Sequence, residues 1–342
     1  MTRRTAPVPR RTRSVVATAI AGSLLLAGCG GDTSAAGAGG SAPSTAAGDG
    51  AVSVVTSTDV YGDLAATVGG DRAEVVAIID DPAQDPHSYE ASTRDQLTLQ
   101  RADVVVQNGG GYDPFVETML DAVGREGKTV VTAVEESEEY AAQTAAGETG
   151  DEHAEEEHAA DEHAHEHGAA DEHVWYDLAT AEAVVTGLVE ALSAADPDGA
   201  ATFRTNGDAL VVQLQQLRER EEQLHAAVEG SGAVVTEPVP AHMLEALGVE
   251  DRTPAEFGEA MEEGQDVPVA ALQEVLDLIG ARQVDVLVYN EQTAGAQTEQ
   301  VEAAARAAGV PVVPVTETLP EGKDYVTWMS DNLTALEGAL TS

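Results

Sequence analysis

Two kinds of apolar pattern alternate along the chain. Short β-branched runs read as buried strands: VSVVTS from Val52 to Ser57, AEVVAII ending at Ile79, ADVVVQNG ending at Gly109 and KTVVTAV ending at Val134. Between them, residues 94–101 and 114–123 carry apolar positions at helical spacing. A polar gap follows, and then a helix from about 179 to 194 that breaks at Asp196-Pro197. The next pattern predicts one long helix over about 199–229, with Leu210, Leu214, Leu217 and Leu224 on one stripe. The strand pattern then returns in GAVVT to Thr236, VDVLVYN to Asn290 and VPVVPVT to Thr316, and a helix over about 326–340 closes the chain. Strands alternating with helices imply βαβ units. The expected fold class is α/β: two lobes, each a mostly parallel β-sheet flanked by helices, bridged by a long α-helix. A length of 342 residues agrees with two domains at roughly 150 residues each.

The N-terminus reads as an export signal. Arg3, Arg4, Arg10, Arg11 and Arg13 precede the apolar run VVATAIAGSLLLA, Val15 to Ala27, which is too short for a bilayer span but suits a signal h-region. Leu26-Ala27-Gly28-Cys29 resembles a bacterial lipobox, so Cys29 is the expected lipidation site and residues 1–28 the signal peptide. Cys29 is the sole cysteine, which excludes an internal disulfide. Residues 29–50 are Gly, Ala, Ser and Thr-rich and predict a flexible linker. Further boundaries follow from the patterns: an N-terminal lobe over 51–195 containing a disordered acidic, His-rich loop at about 136–170, a bridging helix over 196–230 and a C-terminal lobe over 231–342. No other apolar run looks long enough to span a membrane, so the expected product is an exported body tethered by lipid to the outer face of the bacterial cytoplasmic membrane.

Charge narrows the partners. The chain carries 61 acidic and 17 basic residues, a formal net charge of -44. Such a surface repels nucleic acid and attracts cations. The gap holds DEHAEEEHAADEHAHEHGAADEH, Asp151 to His173, with Asp-Glu-His three times at ten-residue spacing and six of the nine histidines.

Ligands of open α/β sheets bind beyond the carboxyl ends of the strands. Four coordinating residues fall there: His87 after the strand ending at Ile79, Glu237 after GAVVT, Glu317 after VPVVPVT, and His173 where the polar gap meets the next helix. Two imidazoles and two carboxylates suffice to close a shell around a divalent transition ion.

At these residues the chain resembles the solute-binding proteins of zinc and manganese ABC importers, from about Val52 to Leu340. The resemblance rests on D-P-H-S-Y-E at Asp85 to Glu90 and H-V-W-Y-D at His173 to Asp177, with support from Gly69-Gly70-Asp71, Asn108-Gly109 and the run Asp324-Tyr325 to Trp328-Met329. It implies that His87 and His173 are metal ligands, and that the His-rich tract is the loop inserted in zinc-importing members. Counting back from Gly248-Val249, the third ligand position holds Glu237 where the family usually has His, and the fourth aligns with Glu317. His242 is the alternative for the third. The fold implied is again two lobes bridged by a long helix, as a monomer working with an ABC permease.

Carboxylates harden a site toward Mn²⁺ or Fe²⁺, whereas a His₂Glu₂ set still suits tetrahedral Zn²⁺ and general affinity order favours zinc over manganese. Zn²⁺ is therefore the expected cargo, with Mn²⁺ the alternative. His153, His158, His163, His165 and His167 are expected to add weak accessory zinc sites that enrich the ion near the cleft. The expected function is extracytoplasmic metal capture and delivery, not enzymatic catalysis: H-E-x-x-H is absent, and four protein ligands leave no place for an activated water. The competing readings are a surface metal buffer or adhesin and, less favoured, a secreted zinc hydrolase.

Overall fold

The computed structural model describes residues 50–142 and 171–341. The first sheet contains β1 (Val52–Thr58), β2 (Ala73–Ile79), β3 (Val104–Gln107) and β4 (Thr129–Thr132), all parallel, in the order β2-β1-β3-β4. The second contains β5 (Gly232–Val235), β6 (Glu250–Asp251), β7 (Val286–Asn290) and β8 (Val312–Val315), again parallel, in the order β6-β5-β7-β8. The two orders are one permutation used twice. Each sheet therefore has a switch point, β1/β3 and β5/β7, where chain connections leave in opposite directions and open a crevice at the carboxyl ends.

The helices are α1 (Asp59–Gly69), α2 (Thr93–Gln100), α3 (Pro114–Val123), α4 (Leu178–Ala195), α5 (Ala200–Val228), α6 (Ala241–Ala246), α7 (Ala255–Glu262), α8 (Val269–Gly280), α9 (Ala296–Ala308) and α10 (Tyr325–Leu340). Strand side chains alternate between faces. Val54 joins a core with α1, α4 and α5, while Val55 packs with Leu99, Phe115 and Met119 of α2 and α3. In the second sheet Val234 and Leu287 meet Phe257, Val275 and Val301 of α7, α8 and α9, and Val235 and Val288 face α6 and α10. The core that starts at Val54 continues without a break to Val288 and Leu333, so the lobes share buried apolar surface.

α5 is 29 residues, about 43 Å at 1.5 Å per residue. Its buried positions are Phe203, Gly207, Leu210, Leu214, Leu217, Glu221, Leu224 and Val228, an alternating four-three repeat that keeps one stripe against the protein. Gly207 lets α4 approach closely: a Cβ there would lie 2.3 Å from Val189 Cγ2. The stripe also contains the polar Glu221.

Three sequence expectations change. β6 was not anticipated, being two exposed residues with no apolar pattern, and neither were α1 and α6 to α9. Residues 138–142 are helical and Ser137 is buried, so structure continues past residue 136 into the segment expected to lack it. α4 is long and apolar enough, by length and composition, to match a membrane span. Here Leu178, Val184, Val185, Leu188 and Leu192 are buried in the first lobe, which explains its apolarity. The predicted signal peptide, Cys29, the linker up to residue 49 and His153, His158, His163, His165 and His167 lie outside the described residues.

Candidate metal centre

His87 sits in the loop that leaves β2. Its backbone N–H donates to Asp85 Oδ1 (2.9 Å), and the loop ends at a capping box in which Ser92 and Asp95 exchange hydrogen bonds at the start of α2. Tyr89 also donates to Asp95 Oδ2, so the loop is tied down on both sides of His87. The ring meets Tyr112 edge-on at 5.1 Å between centroids. Burial lowers the His87 pKa, against the pull of Asp85, and so favours the neutral, ligating imidazole.

His173 opens the short turn before α4, whose start is capped by Asp177 accepting from the Ala179 N–H. It is 1% exposed. Its Nδ1 lies 2.7 Å from Asp171 Oδ1, which also accepts the His173 backbone N–H at 2.9 Å. A carboxylate accepts from a protonated Nδ1, so this contact sets the tautomer and leaves the Nε2 lone pair for a ligand. Burial opposes charge on the ring, but the Asp171 carboxylate outweighs it and, with Glu317 and Glu172, pushes His173 up to about 9.

The sequence reading missed Glu172. His87, Glu172 and His173 each present a ligand atom within 4.8 Å of the others, and Glu172 Oε1 is 3.3 Å from His87 Nε2. Its main chain is anchored: the buried Asn108, itself held by the Tyr61 hydroxyl, donates from Nδ2 to the Glu172 carbonyl at 2.9 Å. Only its position beside His173 in Asp-Glu-His hinted at this role, in a tract where every histidine has acidic neighbours.

Glu237 and Glu317 are not in that trio. They form a second group at the carboxyl ends of β5 and β8, 5% and 6% exposed. The side-chain amide of Asn290, the last residue of β7, joins them: Nδ2 donates to Glu237 Oε2 (2.5 Å) and Glu317 Oε1 (2.7 Å). The amide orientation is set because its Oδ1 accepts from the Gln292 N–H. Burial raises the Glu237 pKa; burial and the facing Glu237 push Glu317 up to about 7. Burial likewise pushes Glu172 up to about 7. Each carboxylate is thus in a place that a nearby cation would relieve.

The groups face one another. His87, Glu172 and Glu237 line one cavity of about 1140 Å³, and among the described residues no Lys or Arg lines it. Gln292 spans the lobes beneath: its Nε2 donates to the Pro82 carbonyl (2.7 Å) in the His87 loop while its Oε1 accepts the Glu317 N–H (2.5 Å). His242 turns elsewhere. Its Nε2 lies 3.2 Å from the Asp171 carbonyl and its Nδ1 3.9 Å from Glu139, so it supports the turn that carries His173.

A family model described as "ZnuA: Zinc-uptake complex component A periplasmic" matches residues 54–339. The chain belongs to this family. It is 25% identical over 300 residues to the manganese-binding lipoprotein MntA of Bacillus subtilis, a match covering 87% of this chain and 86% of that one. It is 26% identical over 295 residues to the zinc-binding lipoprotein AdcA of Streptococcus pneumoniae, covering 84% of this chain and 55% of that protein. A putative metal-binding protein of Treponema pallidum is 24% identical over 183 residues, 54% of this chain and 55% of that one; the matches thus span only about half of these last two relatives. Among solved structures, the periplasmic zinc-binding protein TroA of Treponema pallidum superposes with a TM-score of 0.67 at 19% identity, over 86% of this chain and all of that one, which shows the shared fold.

Proposed function

We propose that this protein captures Zn²⁺ outside the cytoplasm and delivers it to a cognate ABC permease. The observation that carries the reading is the meeting of two imidazoles with buried carboxylates at the crevices of two parallel sheets, beside a cavity that, among the described residues, no Lys or Arg lines. His87, His173, Glu237 and Glu317 hold the ion. Five groups with perturbed protonation, His87, Glu172, His173, Glu237 and Glu317, match the signature of a binding site. Family membership and the metal-binding relatives support the same reading.

Zinc is preferred because two neutral imidazoles suit it and because the affinity order favours it over manganese at nitrogen and oxygen donors. The carboxylates favour Mn²⁺ as the second reading, and the relatives include proteins named for each metal. Protein donors fill the shell, so the site binds and releases an ion without activating water. Export, lipid attachment through Cys29 and a monomeric state complete the proposal.

The test is metal content and chelator-competition titration of the full chain beside His173→Ala. One tightly bound Zn²⁺, lost in His173→Ala, is the expected result. Tight binding that survives this change, or Mn²⁺ displacing Zn²⁺ at equal concentration, would overturn the site or the choice of metal.

A further inference from the structure

We infer that Glu172 is itself a ligand of the captured ion, so that the first lobe presents a three-donor set, His87, Glu172 and His173, to which the carboxylates of the second lobe are added. This rests on the metal-capture reading and names a donor beyond the four assigned there.

Donors bound to one ion at about 2.0–2.1 Å lie roughly 2.9–3.6 Å apart, in four- and five-coordinate shells alike. The His87 Nε2 and Glu172 Oε1 atoms are separated by 3.3 Å, and the trio is within 4.8 Å throughout. Among the described residues, the close group of potential ligand atoms does not include Glu237 or Glu317, which accept from the Asn290 amide. Glu172 is therefore better placed to share an ion with His87 than either predicted carboxylate.

The chain around it leaves room for this carboxylate. Residue 111 is glycine at φ +108, and a Cβ there would sit 3.1 Å from Glu172 Oε2. At residue 110 (φ +69) a Cβ would come within 3.4 Å of Glu172 Cβ. The Asn108 contact to the Glu172 carbonyl fixes the main chain while the side chain faces the cavity. The neighbouring residues divide the work: Asp171 orients His173 from behind, and Glu172 faces the ion.

The experiment uses the full chain with Co²⁺ as a spectroscopic probe and Zn²⁺ by chelator competition, comparing wild type with Glu172→Leu and Glu172→Gln. Both changes remove the charge, but only Gln retains an oxygen at that reach. A ligand role predicts that Glu172→Leu raises the Zn²⁺ dissociation constant by about tenfold or more and alters the visible Co²⁺ bands, with a smaller loss in Glu172→Gln. Equal losses in both variants with unchanged Co²⁺ bands would show that Glu172 acts only through its charge, and would overturn the inference. Thermal unfolding of the metal-free variants checks the fold, and the near-isosteric Gln change keeps the test open if Leu disturbs packing. His173→Ala is run alongside: if it abolishes binding while the Glu172 variants match wild type, the capture reading stands and this inference falls. If His173→Ala itself binds tightly, both fall.

Discussion

Glu221 offers a direct test of how the long helix is held. It occupies an apolar position of the α5 stripe, between Leu217 and Leu224, and is 7% exposed. Its Oε1 has no hydrogen-bond partner. Burial, reinforced by Asp177 and opposed by Arg218, pushes its pKa from 4.5 up to about 8. A raised acid binds a proton more tightly in the folded state than in the unfolded state. Its contribution is therefore fully present below pH 4.5 and is lost as the pH rises to 8. At 1.36 kcal/mol per unit the whole shift corresponds to roughly 5 kcal/mol, an upper bound. A buried oxygen without a partner costs about 1–3 kcal/mol, which gives the lower end. Glu221→Met, similar in length and without charge, should stabilise the protein by about 1–5 kcal/mol at pH 8.5 and by much less at pH 4.5. The assay is thermal unfolding of the full chain with chelator at the two pH values, where each kcal/mol moves the midpoint by about 2–4 °C. If wild type and Glu221→Met lose the same number of degrees between pH 4.5 and 8.5, Glu221 is not titrating across folding and the reasoning fails.

Three further outcomes follow from the site and the packing. Asn290→Ala removes the donor shared by Glu237 and Glu317; zinc affinity should drop about 10–100-fold, or 1.4–2.7 kcal/mol, and an unchanged competition titration would refute the positioning role. Metal must displace the protons that the free site holds, on His173 below about pH 9 and on Glu172 and Glu317 below about pH 7. Zinc affinity should thus rise about tenfold per unit between pH 7.5 and 8.5 and change more steeply below 7; a flat profile in chelator competition would contradict these assignments. Gly207→Ala gains about 1 kcal/mol of helix propensity but forces its Cβ against Val189, so a net fall in the unfolding midpoint is expected, and a rise would mean that α4 and α5 can separate freely.

The lobes share more than a bridging helix. Tyr176 donates to the Thr316 carbonyl, the Leu319 N–H to Asp59, and the Tyr325 N–H to Asp63. These bonds tie the segment from the end of β8 to the first residue of α10 to the first lobe, alongside the common apolar core. Large relative motion would break all of them together. Metal binding in this protein is accordingly expected to act through local changes around the cavity and Gln292.

Local pattern marked seven of the eight strands and half of the helices named above. β-branched runs such as VVVQ in β3 and VLVYN in β7 are buried on both faces, so they stand out as apolar blocks whatever the register. The α5 stripe is legible because a helix packed along one side repeats its apolar residues at fixed intervals. His87 and His173 could be singled out as candidates because strand ends and helix starts can be located from the same patterns, and His87 lies in the distinctive D-P-H-S-Y-E run. What the sequence left open concerns residues whose roles depend on distant partners. Glu172 is one of many acidic residues beside a histidine, and only folding brings its oxygen to His87, 85 positions earlier in the chain. Asn290 is an ordinary strand-end amide until β5 and β8 deliver a carboxylate to each side of it. His242 is a plausible ligand by composition, but the packing of α6 turns its ring to the Asp171 carbonyl. Periodicity records which side of an element is buried; the identity of the groups that meet across a crevice is set by tertiary contacts that no local pattern encodes.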